Sequence, residues 1–141
     1  MKATGREQPA TTGRPQTSQV RTLIVDDQEP FLDALRRLIA AVPGFVLAGE
    51  ACSGEAALAV VDEVAPHLVL MDVRMPGMGG VQAARSLSER HPEIMVVLIS
   101  VHGTEELPDA LVGGDGPATF VHKQNLRPRM LRELWEQRKT A

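Results

Sequence analysis

The chain has 141 residues, 43% apolar and 23% charged, the length and balance of one ordinary globular domain with its own core. No apolar run reaches the ~20 residues that cross a bilayer and no signal peptide is read at the start. The one cysteine, Cys52, leaves no internal disulfide or cysteine metal site, so a cytoplasmic protein is expected. Net charge is −3; Lys2, Arg6 and Arg14 against Glu7 put +2 in residues 1–19, leaving −5 for the rest. That charge, with 3% aromatic residues, argues against phosphate contacts or base stacking, so neither a membrane nor specific DNA is expected as a partner of this chain alone.

Residues 1–19 are Thr, Gln, Pro, Gly and Arg with little to bury, and read as a disordered tail before a domain over 20–141. Apolar runs at 20–26, 45–51, 67–72, 94–100 and 119–122 lack polar alternation, as strands buried on both faces must. Phe31, Leu35, Leu38, Ile39 and Val42 share a helical face after the first run, with Pro30 in the first turn and Pro43-Gly44 beyond the end. Ser53 is placed to cap a second helix, whose face is Ala57, Val60, Val61 and Val64 and which Pro66 stops. Val81, Ala84 and Leu87 mark a third helix, closed by His91-Pro92. The fourth, over 104–112, is weak, since Pro108 interrupts it and glycines follow. A fifth runs over 125–138, with Pro128 in its first turn and Leu131, Leu134 and Trp135 on one side. Five strands alternating with helices imply an α/β fold, a doubly wound five-stranded parallel sheet. Ligands of such sheets sit beyond the carboxyl ends of the strands.

Those ends are chemically distinctive. The first run ends in Asp26-Asp27, the third in Asp72, the fourth in Ser100, and the fifth leads into Lys123. Each alone is a common loop residue, but together they would bring three carboxylates, a hydroxyl and an ammonium to one crevice. Two carboxylates ~5 Å apart repel by roughly 3 kcal/mol at an effective dielectric near 20. A cation relieves this, and an all-oxygen set open to water suits Mg²⁺ or Mn²⁺. A metal, a lysine and a hydroxyl around one carboxylate form a clamp for a transferring phosphoryl group, and a carboxylate nucleophile can form an aspartyl phosphate.

The stretches "LIVDDQEPFLDALRRLI", "LVLMDVRMPGMGG", "VVLIS" and "FVHK" resemble the receiver (CheY-like) domain of bacterial two-component response regulators, with wording closest to the NarL type. The resemblance covers residues 20–138 and implies the (βα)5 receiver fold. It implies Asp72 as phosphoacceptor, with Mg²⁺ held directly by Asp27, Asp72 and the carbonyl of Arg74, and by Asp26 through water. Lys123 would pair with the phosphoryl group, Ser100 would bond one of its oxygens, and Phe120 would change rotamer as Ser100 moves. The phosphoryl donor would be a sensor histidine kinase or a histidine phosphotransfer protein, with a homodimer left open. Beyond its own phosphotransfer and dephosphorylation, the chain would be no enzyme. A pseudo-receiver interaction module and the receiver half of a helix-turn-helix DNA-binding regulator are the alternatives. A small Mg²⁺-dependent phosphatase is disfavoured, since the first strand carries no Asp-x-Asp.

Pro76 and Gly80 match the family's loop after the phosphorylation site, whereas four features depart from it. Gly79 stands for a usual Asp, Gln124 for a Pro after the lysine, and Val101 for a small residue after Ser100; the fourth helix is broken. Val101 and Arg74 are expected to narrow access of water to the phosphorylation site. Cys52 reads as inert packing, and His67, His91, His102 and His122 as ordinary surface histidines. Met71, Met75, Met78 and Met95 read as core and loop filling. Arg127, Arg129, Arg132, Arg138 and Lys139 read as a solvated face, and the glycines at 113–116 lack the Lys-Ser/Thr of a phosphate-binding loop.

Overall fold

The computed structural model describes residues 19–101 and 118–138. Its strands fall on the five apolar runs, to within a residue at each end: β1 Val20–Val25, β2 Phe45–Ala51, β3 Leu68–Asp72, β4 Met95–Ser100 and β5 Ala118–His122. All four pairings are parallel and the strand order is β2-β1-β3-β4-β5. In this doubly wound order the chain reverses its winding between β1 and β3, which opens a crevice at their carboxyl ends.

Two cores explain why the central runs lack polar alternation. On one face Leu23, Val25, Val69, Met71, Val96 and Leu98 pack with Ala57, Val61, Ala84 and Leu87, from α2 (Gly54–Val64) and α3 (Gly80–Arg90). On the other, Ile24, Leu68, Leu70, Val97 and Ile99 pack with Leu35, Ile39 and Leu131, from α1 (Glu29–Ala40) and α4 (Pro128–Arg138). Adjacent residues thus serve opposite cores, as the two-residue strand period requires. Edge strand β2 differs: its outer positions, Leu47 and Glu50 among them, are exposed.

Ser53 caps α2, its Oγ accepting from the Ala56 N–H at 3.0 Å. Ala65 ends that helix in the left-handed region, at φ 51°. Two expectations are corrected. The buried face of α1 is Leu32, Leu35 and Ile39, while Phe31 and Leu38 are half-buried beside it. The last helix begins at Pro128 rather than 125, after a 3-10 turn over Lys123–Asn125. Pro128 has no N–H and disfavours helical backbone at Arg127, so the helix cannot extend back through it.

At the amino ends of the strands, Trp135 packs edge-on to Phe45 with ring centroids 6.3 Å apart, and Arg138 lies 3.3 Å over its ring. Arg36 ties α1 to the edge strand, its Nε 2.6 Å from Glu50 and its Nη1 2.7 Å from Glu29. Residues 1–18 of the expected tail over 1–19, the helix at 104–112, the glycines at 113–116, His102 and Lys139 lie outside the described residues. No described helix is long and apolar enough to cross a membrane.

Candidate functional site

Asp26 follows β1 directly, its N–H donating to the Ala51 carbonyl at 3.1 Å. The residue is 1% exposed. One side-chain oxygen, Oδ1, accepts from the Gln28 N–H at 2.9 Å. The other, Oδ2, is buried without a hydrogen-bond partner. Such an orphaned oxygen costs roughly 1–3 kcal/mol. Asp27 beside it is exposed. Asp72 closes β3 at 9% exposure, and its Oδ1 accepts from the Arg74 N–H at 3.3 Å. One oxygen from each of Asp26, Asp27 and Asp72 lies within 4.8 Å of the other two.

This crowding shows in the acidities. Burial above all pushes the Asp26 carboxyl up to about 6; Asp72 and Asp27 add to the rise, while the Gln28 N–H and the Lys123 charge oppose it. Asp72 is also raised by burial first and by Asp27, against the Arg74 and Val73 N–H groups and Lys123.

Register brings the remaining groups to the same end. Asp72 lies opposite Ile99, and Ser100, 3% exposed, lies opposite His122. Lys123 comes next along the chain, and its Nζ stands 3.4 Å from the centroid of the Phe31 ring. Phe120 is half-buried and edge-on to His122 at 5.1 Å. Val101 is 67% exposed just past Ser100, and Arg74 is exposed two residues past Asp72. The Lys123–Gln124 peptide is trans.

The loop after Asp72 is held by Glu55 and Gly54, which sequence reasoning missed, and by Gly80, which it had singled out. Glu55, in the first turn of α2, accepts the Met78 N–H through Oε2 at 3.1 Å. At Gly54 a Cβ would stand 2.6 Å from the Met78 carbonyl oxygen. At Gly80 it would fall inside the shell of the Asp72 carbonyl oxygen, so only glycine can start α3 this close to β3. The sequence signal was an acidic residue behind a serine cap, which reads equally well as helix-dipole compensation.

Other expectations are revised or kept. Cys52 is exposed rather than packed. His91 is half-buried, its Nε2 2.9 Å from Asp62, and His67 Nδ1 accepts the Arg21 N–H at 3.0 Å. Met71 and Met75 fill the core as expected.

A parallel doubly wound sheet with an acidic cluster, a hydroxyl and a lysine at the carboxyl ends of neighbouring strands defines a class of signalling domains. The chain belongs to the response regulator receiver domain family, whose model matches residues 22–134. It is 40% identical over 104 residues to Response regulator GacA of Pseudomonas protegens, covering 74% of this chain and 48% of that protein. To Response regulator UvrY of Escherichia coli K12 it is 34% identical, covering 74% and 47%. The chain thus spans about half the length of the curated relatives it matches. Among solved structures, the receiver domain of the putative response regulator NarL from Mycobacterium tuberculosis superposes with a TM-score of 0.74, at 30% identity over 87% of this chain and 98% of that one. The fold and the two-component receiver reading of the sequence therefore stand.

Proposed function

We propose that Asp72 accepts a phosphoryl group from the phosphohistidine of a cytoplasmic sensor histidine kinase or histidine phosphotransfer protein, and that the phosphorylated form switches conformation. The observation that carries this reading is the buried, unpartnered Oδ2 of Asp26 beside two further carboxylates and within the field of Lys123. That donor set fits a hard divalent cation, Mg²⁺ or Mn²⁺. Asp27, Asp72 and the Arg74 carbonyl would hold it directly, and Asp26 through water. When bound, the cation neutralises the acidic cluster and the charge on the phosphoryl oxygens.

An Asp72 oxygen forms the new bond to phosphorus as the donor's P–N bond breaks, and the imidazole leaves with the electron pair. Lys123 binds one phosphoryl oxygen and Ser100 another. Drawing Ser100 toward the phosphoryl group frees space that Phe120 can enter, which biases a two-state equilibrium. Val101 and Arg74 crowd the approach of hydrolytic water. A second copy of the chain is a further partner in this reading.

Acetyl phosphate with Mg²⁺ should add one phosphoryl group by mass, absent in Asp72→Asn. Labelling that persists in EDTA or in that variant overturns the assignment. In the same assay Val101→Ala should lose its phosphate faster than wild type; equal half-lives would remove Val101 from the access path.

A further inference from the structure

Lys123 and Phe31 meet in a way the family resemblance did not anticipate. Phe31 sits in the first turns of α1, packed beside the core that holds Leu32, Leu35 and Ile39. The Lys123 ammonium rests 3.4 Å above the centroid of its ring. The same ammonium acts electrostatically on Asp26 and Asp72, so the charge seated on the ring is felt in the acidic crevice. Phe31 and the carboxylates are also fixed by one stretch of chain. The turn in which Asp26 accepts the Gln28 N–H leads straight into the helix carrying the ring.

We propose that Phe31 is a positioning residue for phosphoryl transfer, whose ring face seats the Lys123 ammonium at the edge of the crevice before phosphoryl oxygens arrive. This rests on the reading that Lys123 binds the phosphoryl group. A π face attracts a cation without claiming a particular N–H, so the ammonium's donors stay available to oxygen. A neutral ring also has a property that a carboxylate seat lacks. When a divalent cation occupies the carboxylates, their pull on Lys123 falls and the cation repels it; the attraction of the ring is unchanged. Lysine is a flexible point charge on a four-carbon stem, and holding it beforehand removes an ordering step from binding.

The test compares wild type, Phe31→Leu and Phe31→Trp by calorimetric titration of beryllofluoride in the presence of Mg²⁺, and by NMR of the Lys123 ε-methylene protons without metal. Those protons should lie upfield in wild type through the ring current and return toward ordinary lysine positions in Phe31→Leu. Beryllofluoride should bind Phe31→Leu roughly fivefold more weakly, about 1 kcal/mol, with Mg²⁺ affinity alone unchanged. Phe31→Trp should restore both readouts, and in a Lys123→Ala background Phe31→Leu should cost nothing further. Absence of the upfield shift in wild type, equal beryllofluoride affinity in Phe31→Leu, or an equal loss of Mg²⁺ affinity would each overturn the proposal. If wild type binds no beryllofluoride, the phosphoryl-acceptor reading fails, and the metal-free spectrum alone still decides whether Phe31 seats Lys123.

Discussion

The two ends of the sheet treat their polar groups in opposite ways. At the amino end, Arg21 donates through Nη2 to the Val64 carbonyl at 2.6 Å and through Nε to that of Ala65 at 3.3 Å, closing the end of α2. His67 accepts the Arg21 N–H, and Asp62 faces His91. Polar groups there complete one another. At the carboxyl end, Asp26 has an oxygen with no partner, three carboxylates crowd together and two have raised pKa values. One end joins the elements; the other leaves demands that a cation and a phosphoryl group can meet. The proposed site therefore lies where the folded chain is electrostatically incomplete.

The largest test of this contrast is steric. Gly80→Ala would gain about 1 kcal/mol in helix propensity, but its methyl meets the Asp72 backbone, which cannot yield without moving the site. Overpacking against backbone should prevail, with a net loss of about 3 kcal/mol in urea unfolding and weakened Mg²⁺ binding. A gain in stability would show that the β3–α3 contact is slack.

Next comes charge. The folded carboxyl of Asp26 titrates at about 6 against an ordinary value of 3.8. Because the folded value is raised, its contribution is fully present below the ordinary value and is lost as pH rises through about 6. Metal-free Asp26→Asn should therefore exceed wild type in stability at pH 7, by on the order of 2 kcal/mol, and match it near pH 4. Mg²⁺ should stabilise wild type more than the variant. Thermal melts at the two pH values, with and without Mg²⁺, read all of this. An advantage of equal size at both pH values would mean that something other than ionisation is being relieved.

The smallest effect belongs to the amino end. Arg21→Ala frees two carbonyls at a partly solvated helix end and should cost about 1 kcal/mol, unchanged by Mg²⁺. A Mg²⁺-dependent loss would mean that the two ends are coupled.

Much of this molecule was legible in residue order alone. Strands buried on both faces leave unbroken apolar runs, and parallel topology then sends Asp26, Asp27, Asp72, Ser100 and Lys123 to one end. Helix faces were less legible. Phe31 and Leu32 are adjacent and apolar, and a wheel cannot say which meets the core until the sheet fixes the rotation of α1. Glu55 was hidden because its partner, the Met78 N–H, belongs to a loop whose path depends on Gly54 and Gly80. Cys52 looked like packing because it follows a run read as a strand, yet it lies just past the end of edge strand β2, where the side chain meets water.

Trp135 has a practical consequence for optical work. The chain has one tryptophan and no tyrosine, so its intrinsic emission comes almost entirely from a single indole. That indole rests on Phe45 at the start of β2 and beneath Arg138, at the pole of the domain opposite the carboxylates. Its light therefore reports whether α4 is docked on the sheet. A quencher placed among the aspartates would act across the length of the strands, leaving this fluorophore a gauge of folding rather than of signalling.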